Sequence, residues 1–331
     1  MPLAHSLRRK LPCPNFVSSL SVTNVAALDC GSNSTRLLIA DGEGRPLVRE
    51  MTITRLSQGV DATGALTSEA MARTYETLRR YRALMDEHDV RGGLLVATSA
   101  VRDASNGDVF LADAEAIVGV TARCLAGDEE ARFSFDGATA GLAPSPLVTM
   151  IVDIGGGSTE LCATVDGSLI GYSMQLGCVR VTERALTPGV VTAEHEAATR
   201  AMIAAELDRA FAAVPTFSSL VGSVRLVGLA GTVATLAQLT TGLAAYDRDA
   251  VHHQILTRTQ VQQWRDELGR RTPDERLALP GMVAGREDVL TAGLYILDAV
   301  LERFAIDQFL TSEDDILDGV VRFLQNELPS E

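Results

Sequence analysis

Residues 147–165 read LVTMIVDIGGGSTELCATV: an apolar run ending at Asp153, three glycines with Ser158 and Thr159, and a second apolar run from Glu160. The β-rich runs and the short Gly/Ser segment between them predict two strands joined by a tight turn. Residues 24–40, NVAALDCGSNSTRLLIA, repeat that pattern. Aligning Asp29 with Asp153 also aligns Gly31 with Gly155, Ser34 with Ser158 and Thr35 with Thr159, at a constant offset of 124 residues. An Asp-Gly turn follows each copy, at 41–42 and 166–167. The chain therefore reads as a duplication of one strand–turn–strand–turn–strand unit, with each copy founding its own domain.

Working outward, Thr67 or Ser68 and Glu69 open a helix on which Met71, Tyr75, Leu78, Tyr81 and Met85 recur at helical spacing. A strand is expected over 94–98, a helix over 106–119, a strand over 121–125 and a helix over 128–141, before Pro144 and Pro146 punctuate the chain. Beyond the second copy the pattern predicts a helix near 192–212, a strand at 225–229 and helices near 231–241, 258–270 and 287–304. A strand at 306–311 and a last helix at 314–327 complete it. Strands alternating with helices argue a layered α/β protein.

The length of 331 residues suits two domains. With 46% hydrophobic and 22% charged residues, neither disorder nor a fibrous repeat is the main state. A net charge of −14 repels nucleic acid and anionic membrane, so neither is expected as a partner. Lys10 is the only lysine. Arginine, whose planar fork grips phosphate or carboxylate, supplies the remaining basic residues, a preference that genome composition explains equally well. Cys13, Cys30, Cys124, Cys162 and Cys178 show no metal-ligand spacing and read as free thiols in a reducing cytoplasm. Residues 1–22, broken by Pro12 and Pro14, match a signal peptide poorly and are expected to form a flexible extension. The uncharged run Leu226–Tyr246 contains four Thr, three Gly and Gln238, which favours a strand, a turn and a buried helix over a membrane span.

A strand ending in Asp and followed by a Gly/Ser turn presents several peptide N–H groups in one direction, a nest for phosphate oxygens. Two such turns facing each other would clamp a phosphate chain from both sides. A third glycine signal, Leu229-Ala230-Gly231-Thr232, lies at a strand-to-helix junction, where the helix dipole adds positive potential. Asp153 and Glu160 sit at one mouth of the predicted hairpin, and their hard oxygens suit Mg²⁺. Glu129 and Glu130 open the 128–141 helix; either is able to orient and deprotonate a water, and the spacing does not choose between them. Arg102, Arg180 and Arg286 follow strand or glycine signals that would let them reach the cleft. His252-His253 lack ligand partners at suitable spacing and read as a surface loop.

Taken together, the motifs resemble the exopolyphosphatase and guanosine pentaphosphate phosphohydrolase family, within the actin-like, sugar-kinase and Hsp70 superfamily. The matching stretches are 29–34, 97–102, 127–131, 153–161, 176–180 and 230–232, in the family's order. The resemblance implies an α/β fold of two RNase H-like domains with a ligand cleft between them, over 23–134 and 135–331, the last helix able to pack back on the first domain. It also implies a Mg²⁺ requirement, with Mn²⁺ as a substitute, and a homodimer. The implied substrate is inorganic polyphosphate or guanosine pentaphosphate, from which terminal phosphate leaves one unit at a time, and an alarmone is a candidate inhibitor.

Carried over by position, Glu130 matches the catalytic glutamate, and Asp153 and Glu160 match the metal and water-positioning carboxylates, with Asp29 a third candidate metal ligand. Candidate phosphate contacts are Gly31, Ser32, Asn33, Ser34, Arg102, Gly155, Gly156, Gly157, Ser158, Thr159, Gly177, Cys178, Arg180, Gly231 and Thr232. Departures from the family pattern are Ala126 before Gly127, where Ser is common, and the 312–319 segment, which fits only one branch. Longer members carry a further helical C-terminal domain, so a short-chain or pentaphosphate preference is expected here. Arg102 and at least one of Arg55, Arg180 or Arg286 are expected in the cleft, with the acidic excess on the outer faces. A non-catalytic alarmone sensor and an ATP-dependent kinase are the competing readings.

Overall fold

The computed structural model describes residues 23–186, 189–243 and 245–327; the expected flexible extension over 1–22 lies outside them. The first half runs β1 (Val25–Cys30), β2 (Ser34–Ala40), β3 (Pro46–Ile53), α1 (Val60–Thr63), α2 (Ser68–Glu87), β4 (Gly92–Ala97), α3 (Ser99–Arg102), α4 (Gly107–Val118), β5 (Thr121–Cys124) and α5 (Gly127–Thr139). The second half begins with β6 (Val148–Ile154), β7 (Thr159–Val165), β8 (Ser168–Met174) and α6 (Cys178–Val181), which runs into a π turn over Thr182–Leu186. Then come α7 (Ala193–Ala213), α8 (Phe217–Leu220), β9 (Val224–Leu229), α9 (Ala230–Thr241), α10 (Arg248–Val251), β10 (Ile255–Thr257), α11 (Arg258–Gly269), α12 (Pro273–Leu277), α13 (Leu290–Arg303), β11 (Gln308–Thr311) and α14 (Ile316–Glu327).

The two sheets are built alike. One has the order β3-β2-β1-β4-β5; in the other, β8-β7-β6-β9-β11 repeats it and β10 adds an edge. In both, an antiparallel triplet is extended by parallel strands, β1 with β4 and β6 with β9. This is the RNase H-like arrangement, present twice. The Asp166-Gly167 turn has both residues at positive φ, 50° and 76°, which suits the two-residue hairpin joining β7 to β8. Its counterpart after β2 is a longer loop, in which the Asp41 carboxylate accepts the Glu43 and Arg45 N–H groups.

Each sheet is covered on one face by its own helices: α2 and α4 on the first, α7, α9, α11 and α13 on the second. The remaining faces are covered by α5 and α14. Phe133 of α5 and Ile316, Leu317, Val320 and Val321 of α14 pack on Val25, Ala27, Leu38 and Val96 of the first sheet. Ala131 and Ala138 of α5 pack on Ile151, Cys162 and Val227 of the second. The boundary expected after residue 134 therefore falls inside a continuous helix that touches both sheets. The helices α5 and α14 cross at two glycines: a Cβ on Gly137 would lie 1.9 Å from the Asp315 carbonyl, and one on Gly319 2.0 Å from that of Phe133.

Differences from the expected elements are local. Thr98, expected to end the strand, instead caps α3, and α13 starts at Leu290 rather than 287. The last helix starts at Ile316, where Asp315 Oδ1 accepts the Leu317 N–H. The Leu226–Thr241 part of the uncharged run forms the end of β9 and all of α9, and among the described residues no helix is long and apolar enough to cross a membrane.

Candidate active site

Each repeat closes its turn in the same way. Gly31 N–H donates to the Ser34 carbonyl at 3.0 Å and Gly155 N–H to that of Ser158 at 3.0 Å. Each turn is also strapped from behind, the first by the N–H groups of Thr54, Arg55 and Ser57, the second by those of Cys178, Val179 and Arg180. Among the described residues the N–H groups of Ser32, Asn33, Gly156 and Gly157 find no backbone acceptor. Only glycine allows the close approach of the two turns: a Cβ on Gly156 would lie 2.7 Å from Ser32 Cβ, and one on Gly157 2.6 Å from Ser99 Oγ. Beside this contact opens a cleft.

The cleft is lined by Gly31, Ser32, Asn33, Ser34, Gly155, Gly156, Ser158, Cys178 and Gly231, and by the carboxylates Asp29, Glu130 and Asp153. Arg36, Thr98, Ser99, Ala230, Arg286 and Ile316 also line it. Of these added residues only Arg286 was expected there. Gly231 makes room for Arg286, since a Cβ at this position would lie 1.7 Å from its guanidinium. Asn33 Nδ2, Asp29 Oδ1 and Arg102 Nη2 are buried without a hydrogen-bond partner among the described residues. The unpaired Asn33 amide suits the acceptor-only oxygens of a phosphate chain and the unpaired Asp29 oxygen suits a cation; Arg102, expected in the cleft, is not among its lining residues and reaches Glu130 instead.

Of the two first-turn glutamates, the structure separates the roles left open by spacing. Glu129 returns to cap Ala126 N–H at 3.1 Å. Glu130 is buried, lines the cleft and accepts from Arg102 Nη1 at 3.1 Å, while that same nitrogen holds the Leu125 carbonyl at 2.9 Å. Burial and the neighbouring Glu160 push the Glu130 carboxyl well above the usual range, and Arg102 pulls it back. Asp153 and Glu160 are register partners across β6 and β7. Burial raises Asp153 to about 6 against the Ser134 hydroxyl, 2.7 Å from its Oδ2. Burial and Asp153 raise Glu160 to about 7, against the Ser173 hydroxyl at 2.7 Å.

The repeat diverges at one instructive position. The residue opposite Asp153 is Glu160; the residue opposite Asp29 is Arg36, at the same offset of 124. Arg36 bonds Asp29 Oδ2 at 3.0 and 2.7 Å through Nε and Nη2. Asp29 is thus neutralised by an internal cation, and among the described residues no three His, Cys, Asp or Glu side chains form a ready metal cage. Asp153 and Glu160 fit a divalent ion that keeps waters and draws its other oxygens from substrate, as Mg²⁺ does.

Other expected contacts lie elsewhere. Thr159 donates to the Leu176 carbonyl at 2.5 Å, and Thr232 hydrogen-bonds the Cys178 thiol, so both hydroxyls serve packing. Gly177 backs Gly156, where a Cβ would lie 2.3 Å from that residue's carbonyl. Arg180 is held by Asp61 at 3.3 Å, Gln175 at 2.6 Å and Asp103, and borders a smaller pocket with Ser32 and Gly157. Arg55 pairs with Asp288 at 3.0 Å. Burial pushes the Cys178 thiol up to about 11, leaving it neutral.

A family model described as the Ppx/GppA phosphatase family matches residues 38–326. Exopolyphosphatase 2 of Mycobacterium tuberculosis is 39% identical over 317 residues, covering 91% of this chain and 98% of that protein. A crystal structure of an exopolyphosphatase-like protein superposes with a TM-score of 0.86 at 34% identity, covering 93% of this chain and all of that one. The Ppx/GppA family member of Aquifex aeolicus gives 0.76 at 29% identity, covering 94% and 100% of the two chains.

Proposed function

The chain belongs to the Ppx/GppA phosphatase family, and from that premise we propose that it is an exopolyphosphatase, releasing terminal phosphate from inorganic polyphosphate. One juxtaposition carries the reading: the buried carboxyl of Glu130 opens on a cleft floored by two glycine turns with free peptide N–H groups. Those N–H groups, Asn33 and Arg286 hold the phosphate oxygens of the chain end. Glu130 takes the proton of a water attacking the terminal phosphorus in line with the leaving phosphate. Burial and Glu160 raise its pKa, which makes the ionised carboxylate a stronger base, and Arg102 keeps it oriented. Asp153 and Glu160 would hold Mg²⁺, which neutralises phosphate charge when bound.

The test compares phosphate release from short polyphosphate, long polyphosphate and guanosine pentaphosphate, side by side with Mg²⁺. Turnover of either polyphosphate above that of the pentaphosphate is the expected outcome. Exclusive turnover of the pentaphosphate would make the chain a guanosine pentaphosphate phosphohydrolase. Nucleotide binding without any turnover would make it a sensor.

A further inference from the structure

The two arginines lining the cleft are held differently. Arg286 has no carboxylate bonded to it among the described residues and lies over the backbone of Gly231. Arg36 is bonded on one side to Asp29 and on the other, through Nη1, to Asp315 Oδ2. Asp315 is buried and belongs to the loop between β11 and α14, which reaches the cleft because α14 packs on β1 and crosses α5 at Gly137. One cation between two buried carboxylates has no surplus charge to offer an anion. We propose that Asp315 withholds Arg36 from the phosphate chain and so sets the affinity of the cleft for polyphosphate. The proposal rests on the polyphosphate reading of the cleft given above.

A phosphate oxygen reaching Arg36 competes with Asp315 for Nη1, and the carboxylate it displaces then repels the chain. Asp315 acts through Arg36 and is a positioning residue. It also has a local task, accepting the Leu317 N–H at 2.9 Å through Oδ1. Asn at 315 keeps that acceptor and removes the charge.

The experiment measures tripolyphosphate binding by calorimetry and phosphate release with Mg²⁺ for wild type, Asp315→Asn and Asp315→Glu. The Asn variant is expected to bind about tenfold tighter at low salt. That gain shrinks as salt rises, KM falls by a similar factor, kcat changes less, and Glu restores wild-type values. In an Arg36→Gln background the gain from Asp315→Asn disappears. Unchanged or weaker binding, or a full gain without Arg36, overturns the proposal. Should the Asn protein fail to fold, Asp315→Ser, which also caps a helix, is judged by the same criteria. Calorimetry reads binding without turnover. A wild type that binds tripolyphosphate but releases no phosphate therefore defeats the exopolyphosphatase reading, while the binding comparison still decides the role of Asp315.

Discussion

Asp153 and Glu160 face each other across two strands; burial raises both carboxyls, and Asp153 raises Glu160 further. Their folded values, about 6 and about 7, exceed their ordinary values of 3.8 and 4.5. Between about pH 4 and 7 the folded protein thus holds more protons than the unfolded chain, and these groups contribute stability that is lost as pH rises through that window. In EDTA, Asp153→Asn is expected to raise Tm at pH 8 and to change it little at pH 4, read by scanning calorimetry; added Mg²⁺ should raise the wild-type Tm at pH 8. Equal Tm gains at both pH values would contradict this. Both carboxylates were legible in the sequence because they flank the glycine turn. Arg36 was not: the repeat was read from identical small residues, and Arg36 occupies the position where the copies carry opposite charges. Arg180 ends outside the cleft because Asp61 and Asp103, distant in sequence, claim it.

At the scale of elements, α5 carries Glu130 in its first turn and touches both sheets, so its crossing with α14 fixes where the proposed base stands. Gly319 lets the backbones meet, with the Phe133 carbonyl 2.0 Å from where a Cβ would sit. A backbone neighbour cannot turn aside as a side chain does, so Gly319→Ala is expected to cost about 3 kcal/mol in urea unfolding. Gly141→Ala, with nothing within 4 Å of its Cβ, should be nearly neutral. Equal midpoints for the two variants would remove the crossing from the account. Long amphipathic helices and alternating strands announce themselves by periodicity, and α2, α4, α5 and α9 follow the sequence pattern closely. The four-residue helices α3 and α6 escaped it, being too short to show any period, although they carry Ser99 and Cys178 to the turns.

Over the whole molecule, the charge of −14 coexists with a cleft in which Arg36 and Arg286 face Asp29, Glu130 and Asp153. That local balance is not a basic groove of the kind that binds nucleic acid; it is suited to an anion that arrives with a divalent ion. The duplication was readable because each turn closes tightly on itself, a Cβ on Gly31 or Gly155 lying 3.1 Å from the Ser34 or Ser158 carbonyl, whereas the packing of α14 on the first sheet and α5 depends on contacts far apart in sequence. The central claim is that this cleft hydrolyses polyphosphate with Glu130 as the base. It is tested most directly by phosphate release from short-chain polyphosphate with Mg²⁺, comparing wild type with Glu130→Gln. Release should fall by a factor of about 10²–10⁴ while tripolyphosphate binding stays within a few-fold; near wild-type release by the Gln variant would contradict the account.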